Sequence, residues 1–214
     1  MMTRSRRHPG MSITLLISLA LCSGCMGRSA PVRFYVLTEV PRSTAAAPSA
    51  APGPALGVGP VALPRYLDRT QIVTRRGAQM EAAEFDRWGE SLGEGVPRAI
   101  AAHLAALLQT ERIAVFPWSG ARTIEHQVVI DVTRFDGVVG GDVLLEARWR
   151  VLGPDRKELA LRSSALREAT GEAGYLALVA AMSRSLEALS REIADAVKEL
   201  RARQARGADP ARGR

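Results

Sequence analysis

Few residues of this chain have types and spacings that could do chemistry. Two thiols, Cys22 and Cys25, close an apolar run, and two imidazoles, His103 and His126, stand alone further along. Three carboxylates, Glu81, Glu84 and Asp86, crowd beside Arg87 and Trp88. A thiol can be acylated, or attack as a thiolate. An imidazole ligates a metal when a second His or Cys stands at ligand spacing. None stands near His103 or His126, so both are expected to be structural or surface groups. Paired acids hydrolyse glycosides only if they face one cleft. With Arg87 alongside, the acids here read as a solvated loop with surface ion pairs. No Gly-x-Ser-x-Gly elbow, phosphate loop or dinucleotide fingerprint follows a strand pattern. Gly137-Val-Val-Gly-Gly141 joins two strand patterns and reads as a hairpin turn, where positive φ is cheap for glycine. No catalytic residue, cofactor or metal is expected.

The thiols have a clearer context. Arg4, Arg6 and Arg7 precede a nearly continuous apolar run over residues 11–22, and the small residues Ser23 and Gly24 lead to Cys25. That order is a secretory signal. The run is about a dozen residues, whereas a spanning helix needs roughly 20, so residues 1–24 are expected to be cleaved. Cys22-Ser23-Gly24-Cys25 resembles the cleavage box of bacterial lipoproteins, departing from it at Cys22, where Leu is usual. The resemblance implies a diacylglyceryl thioether on Cys25 and an acyl chain, such as palmitate, on its freed amine. Several acyl chains together suffice for stable anchoring. Met26, rather than Asp, at the next position implies the outer membrane and its periplasmic face. Cleavage removes Cys22 and acylation uses Cys25, which leaves no thiol for a disulfide or a nucleophile.

Charge narrows the partners. The formal net charge is +7, but residues 25–200 hold 21 basic and 21 acidic side chains, so the excess sits at the ends. A neutral body without a basic stripe argues against nucleic acid. The basic tail can meet anionic lipid or an acidic partner. Residues 25–214 suffice for one domain with a proper core, and no second long apolar run is present.

The elements that must position any site can be read from periodicity. Residues 33–37 read as a first strand, and residues 41–55 as a Pro/Ala/Ser/Gly linker that tethers it to the main body. A second strand covers 56–63, a helical turn 64–68 and a third strand 71–75, with 78–84 pairing back. A helix covers 90–109, with Pro97 marking its effective start. A short strand at 113–116 follows. Strands at 127–135, 143–151 and 159–166 come next, the middle one alternating Val143, Leu145, Ala147, Trp149 and Val151 with wet residues. A helix over 174–202 carries one apolar stripe, expected to cover the sheet rather than another helix. The fold class is α+β: one domain with a mixed or antiparallel sheet covered by two main helices. Trp149 belongs to the core. Trp88 and Trp118 fall outside regular elements and are interface candidates.

Several stretches then resemble one family. Arg33-Phe-Tyr-Val-Leu-Thr38, Val58-Gly-Pro-Val-Ala-Leu-Pro-Arg-Tyr-Leu-Asp-Arg-Thr-Gln-Ile-Val-Thr-Arg75 and Glu84-Phe-Asp-Arg-Trp-Gly89 are similar to the PqiC-type auxiliary lipoproteins of ABC transport systems. So are Arg134-Phe-Asp-Gly137, Glu146-Ala-Arg-Trp-Arg150 and Tyr175-Leu-Ala-Leu-Val-Ala-Ala-Met-Ser-Arg184. The resemblance implies a non-catalytic outer-membrane component that serves an MCE-domain protein in moving lipids between membranes. It also implies a fold that mixes sheet and helices. Self-association is compatible with it. Tyr66 and Trp88 are the candidate partner contacts. The expected organisation is a signal at 1–24, a lipidated N-terminus with first strand and linker at 25–55, an α+β domain at 56–202 and a basic disordered tail at 203–214. The competing readings are a structural or assembly lipoprotein and a periplasmic hydrolase; the latter needs Ser, His and acid brought together in a pocket.

Overall fold

The computed structural model describes residues 30–38, 53–118 and 124–207. The expected signal segment, the expected acylation site Cys25, most of the expected linker and residues 208–214 lie outside the described residues. The chain divides into Met1–Pro31 and Val32–Arg214, and every element below belongs to the second unit. The strands are β1 (Arg33–Tyr35), β2 (Leu56–Ala62), β3 (Gln71–Arg76), β4 (Gln79–Trp88), β5 (Ile113–Val115), β6 (His126–Gly137), β7 (Asp142–Leu152) and β8 (Glu158–Ala169). The helices are α1 (Leu92–Leu108) and α2 (Tyr175–Gly207), and Arg65–Leu67 makes one 3-10 turn. The fold is α+β with mixed sheets covered by two helices.

The strands form two sheets rather than the single sheet expected. A five-stranded sheet runs β5-β2-β6-β7-β8, and a three-stranded sheet runs β1-β4-β3. Strand β7 is the clearest case of sequence dictating structure. Val143, Leu145, Ala147, Trp149 and Val151 are buried on its helix-facing side, while Glu146, Arg148 and Arg150 are exposed. Its antiparallel neighbours follow through tight turns, with Gly140 at φ 75° in the first. Strand β2 lies parallel to both β5 and β6, which come much later in the chain.

The two helices divide the five-stranded sheet between them. Helix α1 packs on β2 and β5, α2 packs on β6, β7 and β8, and the helices touch each other. The sheet-only packing expected for α2 therefore needs correction. Its buried face is wide and includes the small residues Ala181, Ser185, Ser190 and Ala194, which leave room for a second helix. The buried serines do not need partners on α1. Ser183, Ser185 and Ser190 donate back to the carbonyls of Val179, Met182 and Leu186, a bond open to serine within a helix. A buried polar link ties α2 to the sheet, where Trp149 Nε1 donates to Ser164 Oγ at 2.8 Å and Ser164 bonds to Glu192; exposed pairs from Arg162 to Glu199 and from Arg184 to Glu168 add to it.

At α1, α2 and β4 the boundaries differ from expectation for readable reasons. Helix α1 starts at Leu92, where the Ser91 side chain accepts from the Glu94 N–H at 3.3 Å. Pro97 lies in the second turn, so it removes only one bond near the helix start. Helix α2 continues to Gly207, so residues 203–207, expected in the disordered tail, are helical. Strand β4 runs to Trp88 and absorbs the acids read as a loop, because β1 adds along it in parallel, pairing Arg33 with Asp86 and Tyr35 with Trp88. That support comes from about fifty residues away and leaves no local periodicity.

Candidate functional site

The distinctive chemistry gathers at two carboxylates. Asp136 is 0 % exposed at its side chain, near the end of β6. A register shift between Val132 and Arg134 bulges β6, which re-aims side chains. Phe135 is fully buried, and Arg134 and Asp136 alternate with it onto the other face, where β3 packs against β6. There the Tyr66 hydroxyl donates to Asp136 Oδ2 at 2.8 Å, and Arg134 Nε donates to Oδ1 at 3.0 Å. Arg75, on β3, stands 3.7 Å from Oδ2. The Tyr66 oxygen in turn accepts from the Phe135 N–H at 3.1 Å. Burial, and beyond it the Asp136 carboxylate, pushes the Tyr66 phenol up to about 12.

Asp86 repeats the device on the small sheet. It is 3 % exposed and takes Arg33 in a two-point clasp, Nε to Oδ1 and Nη2 to Oδ2, both at 2.8 Å. Tyr35 adds a third donor, its hydroxyl 2.7 Å from Oδ1. Burial pushes the Asp86 pKa upward, but the bonds from Arg33 and Tyr35 and the charge of Arg33 outweigh it and hold the group below its ordinary value. Burial, with Asp86 and Glu81 nearby, raises the Tyr175 phenol at the start of α2. The surface ion-pair loop expected here is thus corrected in part. Glu81 and Glu84 are exposed, whereas Asp86 is buried and fully bonded.

The segments next to these centres, around the 3-10 turn and the end of β4, line a cleft of about 430 Å³. One wall is the 3-10 turn and what flanks it, Leu63 to Thr70; the other is the junction of β4 with α1, Trp88 to Gly93. Val61, Leu67, Trp88 and Leu92 give it an apolar floor, and Arg65, Asp68, Arg69 and Glu90 give it a charged rim. The walls are cross-braced. The Trp88 N–H donates to the Thr70 carbonyl across the cleft at 2.7 Å, and the Gly89 N–H ties the second wall to β1 by donating to the Tyr35 carbonyl at 2.7 Å. Through Tyr66 the first wall is pinned to Asp136. An apolar floor with a charged rim suits recognition of another surface.

The residues singled out from sequence fall differently around this cleft. Trp88 is corrected from a loop residue to the last residue of β4; it is 4 % exposed and lines the cleft. Tyr66 is half-buried and turns its hydroxyl inward to Asp136 rather than outward. Trp118 does lie outside regular elements. It packs edge-to-face with Phe116 at 5.4 Å and closes the space above Gly57. His103 and His126 are both buried, at separate places in the fold, and neither lines the cleft. Among the described residues no group of His, Cys, Asp and Glu could hold a metal ion. Sequence reasoning did not single out Asp136, Arg134, Arg75, Arg33 or Tyr35 as site residues. The available signal was that each sits inside a quoted family stretch. Those stretches meet in pairs: 58–75 with 134–137, and 33–38 with 84–89.

Comparison with known proteins bears on the family and the fold. The family described as "ABC-type transport auxiliary lipoprotein component" matches residues 35–194. A crystal structure of an uncharacterized protein superposes with a TM-score of 0.64 at 20 % identity, covering 78 % of this chain and 99 % of its own. A Xanthomonas campestris protein superposes with a TM-score of 0.63 at 16 % identity, covering 82 % and 99 %. At these identities the likeness speaks for the fold alone. No curated protein matches the chain.

Proposed function

Because the chain belongs to the ABC-type transport auxiliary lipoprotein component family, we propose that it is a non-enzymatic periplasmic lipoprotein held to the outer membrane through Cys25, serving an MCE-type system that moves lipids or other hydrophobic molecules between the membranes. The observation that carries this reading is the family match across residues 35–194. The coarser statement, a lipoprotein of the cell envelope that assists ABC-type transport, is the family's own. The structure adds a means of action. Tyr66 fastens one wall of a pre-formed cleft to the buried Asp136, and the cleft's charged rim offers Arg65, Asp68 and Arg69 to a partner. Trp88 contributes from the floor, and Tyr66 contributes by fixing the turn that bears the rim.

Docking, not catalysis, is the role that suits such a site. The test is crosslinking in intact cells, followed by co-purification with an MCE-domain protein. Capture of that protein through a photo-crosslinker at Arg69 supports the reading. No capture from any rim position, with the chain folded and at the membrane, overturns it.

A further inference from the structure

We propose that the outer face of β1 seats directly on the phospholipid surface, as a second membrane contact beside the acyl chains; the inference rests on the proposed acylation of Cys25. Residues 32–37 alternate, but with the polarity reversed from an ordinary half-buried strand. Leu37 is buried, Tyr35 is half-buried and Arg33, itself exposed, reaches back to Asp86, while Val32, Phe34 and Val36 turn to solvent. Phe34 is 67 % exposed and Val36 57 %. This facing is enforced. The clasp of Arg33 and Tyr35 on Asp86 and the bond from the Thr38 N–H to Ser183 Oγ at 3.0 Å hold the opposite side down. A slip of one residue would break every one of these bonds.

The occupant follows from chain length. Val32 is seven residues after Cys25, and seven residues reach at most about 25 Å. With Cys25 in the bilayer, Val32 stays within that distance of lipid permanently, and Phe34 and Val36, nine and eleven residues after Cys25, stay within about 32 and 40 Å, all at high effective concentration. An aromatic and two branched aliphatic side chains flanked by arginine suit the headgroup boundary, where apolar groups bury and cations stay wet.

The test uses the mature acylated chain in vesicles of phosphatidylethanolamine and phosphatidylglycerol. After maturation Cys25 is a thioether, so Val36→Cys supplies one reactive thiol for a fluorophore; Ser163→Cys, on the exposed face of β8, supplies the control. A lipid-borne nitroxide near the headgroups should quench the label at 36 at least about threefold more than the label at 163, with iodide showing the reverse order. Adding Phe34→Asp, at a site too exposed to threaten folding, should abolish the difference. Equal quenching at both positions in an acylated chain overturns the seating and leaves the anchor standing. A label at 36 shielded from both quenchers means that protein covers the strand, which also overturns it. Mass spectrometry showing an unmodified Cys25 overturns the anchor and the seating together.

Discussion

Tyr66 and Asp136 lie seventy positions apart, and the 2.8 Å bond between them joins the 3-10 turn to the end of β6. It is the point at which the cleft wall is fastened to the large sheet. Tyr66→Phe keeps the ring but removes the bonds to Asp136 and to the Phe135 N–H. Leaving those buried groups short of a partner should cost about 1–3 kcal/mol. Urea unfolding measures it. Wild type should also lose stability between about pH 10 and 12, where the unfolded chain's phenol ionises and the folded one does not, and the variant should lose less.

The Arg33–Asp86 clasp makes a prediction in acid. The folded pKa of Asp86 lies below its ordinary value, so its contribution is present above the unfolded pKa and is lost as pH falls through the folded one. Arg33→Ala removes two bonds and a charge from a carboxylate that stays buried. The acid-unfolding midpoint should therefore move to higher pH. Circular dichroism across pH 2–6 checks it, and an unmoved midpoint would show the clasp to be idle.

His126 acts with the same sign over a different window. Both ring nitrogens are buried without a hydrogen-bond partner among the described residues. Burial lowers its pKa, with Glu125 raising it and Arg201 lowering it further. The unfolded chain therefore binds the proton first, and stability should decline as pH falls below about 6.5. His126→Leu should flatten that part of the profile without loss at pH 8.

Gly59 is a backbone requirement. It sits at φ 115°, and a Cβ there would lie 2.7 Å from the Phe116 Cβ. Gly59→Ala should cost at least about 2 kcal/mol from strain and overlap together. Gly77, at φ 61° with nothing within 4 Å, is the control, and Gly77→Ala should cost about 1 kcal/mol. Thermal unfolding separates the two.

The rim of the cleft should matter to a partner and not to the fold. Arg65 and Arg69 are exposed and line it. The double variant Arg65→Glu, Arg69→Glu should leave the melting temperature unchanged and reduce crosslinking to the proposed MCE-domain partner roughly tenfold. Quantitative crosslink yields in cells give the answer.

What could be read from sequence were features carried by local pattern. The alternation of Val143 to Val151, the hairpin at Gly137 to Gly141, the apolar stripes of α1 and α2 and the buried Trp149 all follow from periodicities of two and 3.6, which belong to neighbouring residues. The family stretches were legible too, as strings of residue types. Their purpose was not, because it lies in bonds between strings. Arg33 with Asp86 and Tyr66 with Asp136 are pairings across fifty-three and seventy positions, and no local period encodes them. Trp88 looked like a loop residue because β1, which makes its stretch a strand, comes from before the linker. The sequence by itself determined which residues could face a core. Only the tertiary structure decided which charges are buried, since burial of Asp86 and Asp136 depends on donors brought from distant elements. It also decided that Phe34, apolar by type, would be left facing outward.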